Sequence, residues 1–398
     1  MKRLALLLVA VALLLPAAAN AQLTMQMSNG WSFSFAGNVN AFWVFTKQNN
    51  SGPANSSVRT GLLPSFATFE AKGKEAGMNL GVHFGFAPQI QNGGAVHDNF
   101  GNGTQAGAQI DMRQVYLTVG GQWGQILAGR ELALFSRQNI LNDMTLFGVG
   151  AVGIGKANAQ SGGTTAGRIG YGYLYPDFNA QVTYSTRPGR PAQLSIGAFQ
   201  PSALSAGGSP YSFTKIPRVE AELIYNQKSG KNRYMFWAGG LWQTTSNAAT
   251  AGNSVSSVGG TAGIRGDFSE LSVVVSGYIG KGLGTGFSFS GGEVAGAGTG
   301  TELRTSDGGY VQLGYTLNKK TTLGASWGFS RLKNNGATVA TGGDGNTAVR
   351  SNVYSYTGGI YHQWTKSLKL VFEGTQEGTT AVGRAKQIDL SGGFMLFF

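Results

Sequence analysis

His83, His97 and His362 are the chain's three histidines, and they lie far apart in sequence. With no Cys, the 398 residues offer no thiolate nucleophile, no thiolate metal site and no disulfide framework. No His-Glu-x-x-His, Gly-x-Ser-x-Gly or Asp-rich calcium loop occurs, and the Gly-rich run 280–286 follows no βαβ pattern, which makes it a poor phosphate cradle. His83 shares the polar side of a strand pattern with Asn79, Gly81 and Gly85, a setting for a solvated position more than for metal ligation. No catalytic constellation, cofactor site or metal site follows from these residues. Unbalanced charge is the more informative chemistry: 30 Lys and Arg against 18 Asp and Glu give +12. Such an excess suits nucleic acid in a soluble protein, or anions when it lines a low-dielectric passage.

The first residues decide between these. Lys2 and Arg3 precede an apolar run over 4–15, and Ala19-Asn20-Ala21 is a small-x-small cleavage site, so 1–21 reads as a secretory signal peptide. Export makes nucleic acid a poor partner. Cleavage leaves one domain, 22–398, and loss of Lys2 and Arg3 lowers the formal charge from +12 to +10. No later run reaches about 18 apolar residues, which excludes a helical membrane protein. Yet charged residues make up only 12% of the chain, aromatics 11%, and Gly numbers 64, which is poor in charge for a soluble exported protein. A transmembrane β-barrel removes the conflict, because only every second residue must be apolar.

Alternation agrees. Trp31, Phe33, Phe35, Val39, Trp43 and Phe45 fall on one face, with Ser32, Ser34, Asn38 and Asn40 on the other. Leu323, Ala325, Trp327 and Phe329 repeat the pattern, as do Leu271, Val273, Val275 and Ile279. Val219, Ala221, Leu223 and Tyr225 oppose Arg218, Glu220 and Glu222, which predicts three lumen-facing charges. Ile388, Leu390, Phe394, Leu396 and the terminal Phe398 share one face of a closing strand. Short links near 73–77, 120–122, 226–232, 267–270, 318–320 and 364–366 alternate with long polar ones, as periplasmic turns alternate with external loops.

Residues 113–130, RQVYLTVGGQWGQILAGR, read as two strands around a tight turn, followed by a long insert. This hairpin resembles the fourth and fifth strands of the trimeric porins of Gram-negative outer membranes, through Arg113, Gln114, Tyr116, Gly121, Trp123, Gly124, Gly129 and Arg130. The segment 168–185 is similar to that family's sixth strand, Pro-containing turn and seventh strand. The resemblance implies that the insert, 131–165, folds into the barrel as a constriction loop. It departs from the family in lacking the usual Pro-Glu-Phe-Gly-Gly type of run.

The expected fold is therefore all-β: a transmembrane antiparallel β-barrel of about 16 strands, or about 18 with a hidden strand near Tyr211. The even count is reached by taking 178–200 as a single strand. Arg113, Arg130 and Arg168 on the wall are expected to face Glu131 and Asp143 on the insert across the narrowest point. Strand parity does not settle Arg113, which alternates with Val115, Leu117 and Val119, but an Arg directed to lipid costs about 2–4 kcal/mol near the midplane. The expected function is an outer-membrane channel for passive diffusion of small hydrophilic solutes and ions with modest anion preference, without enzyme activity or cofactor. The alternatives are a channel selective for phosphate or organic acids, or a plugged structural or adhesive barrel. Outer-membrane lipid and lipopolysaccharide, two further copies of the chain, and the barrel assembly machinery acting through Phe398 are the expected partners.

Overall fold

The computed structural model describes residues 23–28, 30–49, 53–90, 110–153, 164–204, 211–247, 253–294, 303–333, 352–380 and 385–398. Residues 1–21, read above as a signal peptide, His97 and residues 154–163 of the insert lie outside the described residues. Sixteen strands make the barrel. They are β1 (Ser32–Gln48), β2 (Phe66–Glu75), β3 (Met78–Pro88), β4 (Ile110–Gly121), β5 (Gly124–Leu132), β6 (Phe178–Ser185), β7 (Ala192–Phe199) and β8 (Arg218–Ser229). The second half comprises β9 (Asn232–Asn247), β10 (Ser254–Phe268), β11 (Leu271–Lys281), β12 (Thr305–Leu317), β13 (Thr321–Lys333), β14 (Asn352–Gln363), β15 (Leu368–Thr379) and β16 (Lys386–Phe397). Each pairs antiparallel with its chain neighbours, and β16 pairs with β1, Leu396 opposite Val39, to close the cylinder.

Closure extends to the last residue. Gly37 and Phe398 exchange backbone hydrogen bonds at 2.8 and 3.0 Å. The short strand Leu23–Gln26 occupies the next stretch of the same edge of β1, Leu23 opposite Phe35, so both ends of the described chain complete one seam. Alternation sets the faces: Val39 and Trp43 are 53% and 49% exposed, whereas Asn38 and Asn40 are 4% and 1% exposed. Apolar side chains thus point outward and polar ones inward, the inverse of a soluble protein. Tight turns join the strands at one end, as at Ala76-Gly77 (φ 47° and 79°) and Asn318-Lys319 (φ 50° and 58°), where paired positive φ values match the twist of the strands.

The count of sixteen is as expected, but two segments differ from their sequence reading. Residues 168–177 do not form the sixth strand. Ile169, Tyr171, Tyr173, Leu174 and Tyr175 are all buried, without alternation, and are joined only by isolated bridges, because the segment is the returning arm of the insert. The sixth strand is β6. Residues 178–200 form two strands, not one, since the 186–191 link carrying Pro188, Gly189 (φ 78°) and Pro191 turns the chain between β6 and β7. The two differences cancel in the count. Tyr211–Phe213 is a three-residue strand beside the upper end of β9, far short of the roughly 9–11 residues needed to cross.

The seam gives a direct test. A Cβ at Gly37 would stand 2.1 Å from the Phe66 carbonyl oxygen and 2.9 Å from the Phe398 ring, whereas one at Gly260 would meet nothing within 4 Å. Gly37→Val is expected to cost about 1–3 kcal/mol and deplete the folded, heat-modifiable band on gels, while Gly260→Val leaves it unchanged. Equal folding of the two variants would show that the seam is not tightly packed.

Candidate pore constriction

After Leu132 the chain leaves the wall. Ser136 (φ 64°) turns it into the single-turn helix α1 (Arg137–Leu141), and Met144–Phe147 forms a 3-10 turn capped by Asp143. The Asp143 carboxylate accepts from the Thr145 amide at 2.9 Å and from the Tyr173 hydroxyl at 2.8 Å, tying the outgoing and returning arms together. Leu132, Phe135, Ile140, Leu141 and Leu146 pack against Tyr173, Leu174, Trp237, Leu241, Tyr278 and Tyr310, which puts an apolar cluster inside a polar lumen. The insert is therefore docked on the wall and does not hang free.

Its backbone needs partners, and wall side chains supply them. On β8, Glu220 accepts from the Phe135 amide at 2.8 Å, and Glu222 accepts from Arg137 at 2.5 Å and from Gln138 at 3.2 Å. Trp237 on β9 and Thr261 on β10 bond the Asn139 side chain at 2.8 and 2.9 Å. On β12, Gln312 accepts from the Met144 amide at 2.6 Å and donates to the Asn142 carbonyl at 3.2 Å. On β15, Glu373 accepts from the amides of Val149 and Gly150 at 2.6 and 2.8 Å, and Glu377 from Gly153 at 2.9 Å and from the Tyr171 hydroxyl. Asp389 on β16 accepts from the Val152 amide at 3.2 Å. These contacts run from β8 round to β16, half the circumference of a sixteen-stranded ring. The insert lines that half, and Gly148 carries the contact on to Leu62, between β1 and β2, where its carbonyl accepts from the Leu62 amide at 2.9 Å.

The arginines take three different places. A bulge in β4 pairs Gly85 with Gln114 and Phe86 with Met112, leaving Arg113 unpaired between them. Its guanidinium bonds Asp111 at 2.8 Å and lies over the rings of Phe66 and Phe178 at 5.9 and 5.6 Å. Arg168 is fully buried behind the insert, donating to Ser326 on β13 and to Ser355 on β14 at 3.1 Å. Arg130 shares its register row with Val115 and Ala180, on the opposite face from Glu131. Glu131 accepts from Gln114 at 2.8 Å, which in turn contacts His83 at 3.3 Å. Glu220 and Glu222 turn onto the insert, while Arg218 bonds Glu220 at 2.8 Å and lies over the rings of Phe199 and Phe289. The structure brings Asp143 and Arg168 into one electrostatic pair and holds Arg113 and Arg130 apart from it.

Burial pushes the Asp143 carboxyl up, against the opposing pull of Arg168, Thr145 and Tyr173, and pushes the Arg168 guanidinium down against Asp143. For Arg137 burial also lowers the value, but the adjacent Glu222 outweighs it and the net shift is upward. Sequence reasoning missed Glu373, Glu377, Asp389, Asn139 and Gln312. The three acids had a readable signal, since each falls on the inward parity of its strand, Glu373 and Glu377 together on β15 and Asp389 on β16.

A closed antiparallel barrel with an apolar outer belt and an insert docked inside defines a β-barrel channel of the outer membrane. The family model described as Gram-negative porin matches residues 5–381, and the chain belongs to that family. No curated protein matches the sequence. Among solved structures, the outer membrane channel DcaP of Acinetobacter baumannii is similar at 13% identity and TM-score 0.66, covering 94% of this chain and 99% of its own. The anion-selective porin from Comamonas acidovorans is similar at 13% identity and TM-score 0.62, with 92% and 100% covered. OmpF of Salmonella typhi, in complex with daunomycin, follows at 12% identity and TM-score 0.58, with 94% and 100% covered.

The clamp can be loosened selectively. Glu373→Gln removes the negative charge from the group to which both amides donate, and with it charge-assisted bonds together worth about 1.5–3 kcal/mol or more. Proteolysis within 132–153 should accelerate and single-channel current should become noisier, with the barrel still heat-modifiable. Protease resistance equal to the parent's would show that the carboxylate does not hold the insert.

Proposed function

We propose that the chain is a passive channel for small hydrophilic solutes and ions with a modest preference for anions. One observation supports the sign. The carboxylates Glu220, Glu222, Glu373, Glu377 and Asp389 are buried against the insert, with their oxygens turned onto its amides and side chains. In two wall pairs, by contrast, the cation is the more exposed member, Lys72 46% against Glu70 12% and Arg265 30% against Asp267 20%, while Arg113 and Asp111 are covered alike at 12% and 13%. Water in the lumen therefore meets more positive than negative charge, and the low-dielectric wall screens it little. The formal excess of +10 after removal of the leader at 21 has the same sign.

Arg113, from the wall the insert leaves uncovered, is assigned the leading role at the narrow point. Asp111 pairs with it, Glu131 is held by the adjacent Gln114, and Asp143 with Arg168 acts from within the insert's anchorage. Reversal potentials under a KCl gradient should show chloride preference, weakening as salt rises. Arg113→Gln combined with Arg265→Gln should shift them toward potassium, and Arg130→Gln should not. Cation preference in the parent, or no shift in the double variant, would refute the assignment.

The working form is proposed to be a homotrimer in the outer membrane, delivered after signal cleavage and recognised for assembly through Phe398. Small residues on the outer wall, such as Ala71 and Gly277, permit close subunit approach. Unboiled protein should migrate near three times the monomer mass. A single-barrel mass by light scattering in mild detergent would exclude the trimer.

A further inference from the structure

On β13 the outward residues Leu323, Ala325, Trp327, Phe329, Arg331 and Lys333 run from the turn at 318–320 to the external rim. At the rim, Arg331 and Lys333 share the Asp307 carboxylate, Lys333 Nζ at 3.0 Å, and their side chains remain 48% and 52% exposed. Register sets Thr305 between Lys281 and Lys333, and Asp307 between Ile279 and Arg331. Lys281 is also exposed. Arg331 and Lys333 thus share one carboxylate, with Lys281 on the neighbouring strand two register positions away, so the described charges of the patch are three positive against one negative.

Farther down the same face lies a groove of about 620 Å³. Ala325, Gly358 and Gly374 stand opposite one another on three adjacent strands and form its floor, with Leu313, Trp327 and Tyr356 at its sides. A Cβ at Gly358 would meet nothing within 4 Å. From Ala325 to Arg331 is roughly 20 Å along the strand at about 3.3 Å per residue, or roughly 15 Å of depth at a tilt of about 35–45°. That depth is one leaflet of a hydrocarbon core about 30 Å thick. With the groove near the midplane, the cations stand at headgroup level.

We propose that the outer face of β11 to β15 seats one phosphorylated anionic lipid, its phosphate on Lys281, Arg331 and Lys333 and an acyl chain in the groove. Charge selects this occupant. A zwitterionic lipid would leave the positive excess unmatched, and a second copy of the chain would have to bring carboxylates to the rim. The seat faces lipid and not the lumen, so it stands independently of what the channel passes.

Native mass spectrometry of the delipidated protein in detergent tests it, with phosphatidylglycerol, phosphatidylcholine of the same chains, and inorganic phosphate as probes. Phosphatidylglycerol should be retained over phosphatidylcholine, and inorganic phosphate should not displace it. Replacing Lys281, Arg331 and Lys333 by Gln should weaken retention roughly fivefold for each cation removed. Gly358→Leu should weaken it by filling the groove, with conductance unchanged. Equal retention of the two lipids, displacement by inorganic phosphate, or unchanged retention in both variants would overturn the seat. Loss of subunit assembly in Gly358→Leu with lipid retention intact would give the groove to a second copy and overturn it equally.

Discussion

In hydrocarbon, a backbone N–H or C=O without a partner costs several kcal/mol, and this chain meets that constraint twice. Against lipid, the solution is closure: β16 pairs with β1 over eleven register positions, and Phe398 and the Leu23–Gln26 strand continue the seam. Inside, the same difficulty returns in another form. An insert of irregular backbone packed on the wall buries amides that no strand can pair, and Glu220, Glu373, Glu377, Asp389 and Gln312 accept from them.

This use of the acids has an electrostatic consequence. A carboxylate accepting amide hydrogens at 2.6 to 2.9 Å is committed to that geometry and shielded from lumen water. A guanidinium or ammonium on a long stem can stay in contact with water while its partner is half covered, as Lys72 and Arg265 do. The charge asymmetry on which the proposed anion preference rests therefore has its source in the anchoring of the insert as much as in composition.

Much of this was legible in sequence, because a period of two is a local property. The outward row Val39, Trp43 and Phe45 and the inward row Arg218, Glu220 and Glu222 could be assigned from neighbours alone. What failed was whatever broke the period or depended on distant chain. Arg113 could not be placed by counting, since the bulge at 113 shifts parity by one. The segment 168–177 imitated a strand with its alternating Gly and Tyr, and only its burial on both sides reveals an arm of the insert. Glu373 meets the Val149 amide across 224 residues of chain, a separation that no local pattern encodes.

Arg168 shows how these levels join. A fully buried guanidinium is costly unless its donors are filled and its charge is balanced. Ser326 and Ser355 accept from it on β13 and β14, and Asp143 supplies the main opposing charge from the outgoing arm of the same insert. Asp143 is itself fixed by Thr145 and by Tyr173 of the returning arm. The two arms are thus bound to each other through Asp143 and Tyr173, and the pair is bound to the wall through Arg168. Neither arm can reposition without uncovering a buried charge, so the path of the insert is held from behind, by Asp143, Arg168 and their hydrogen-bond partners.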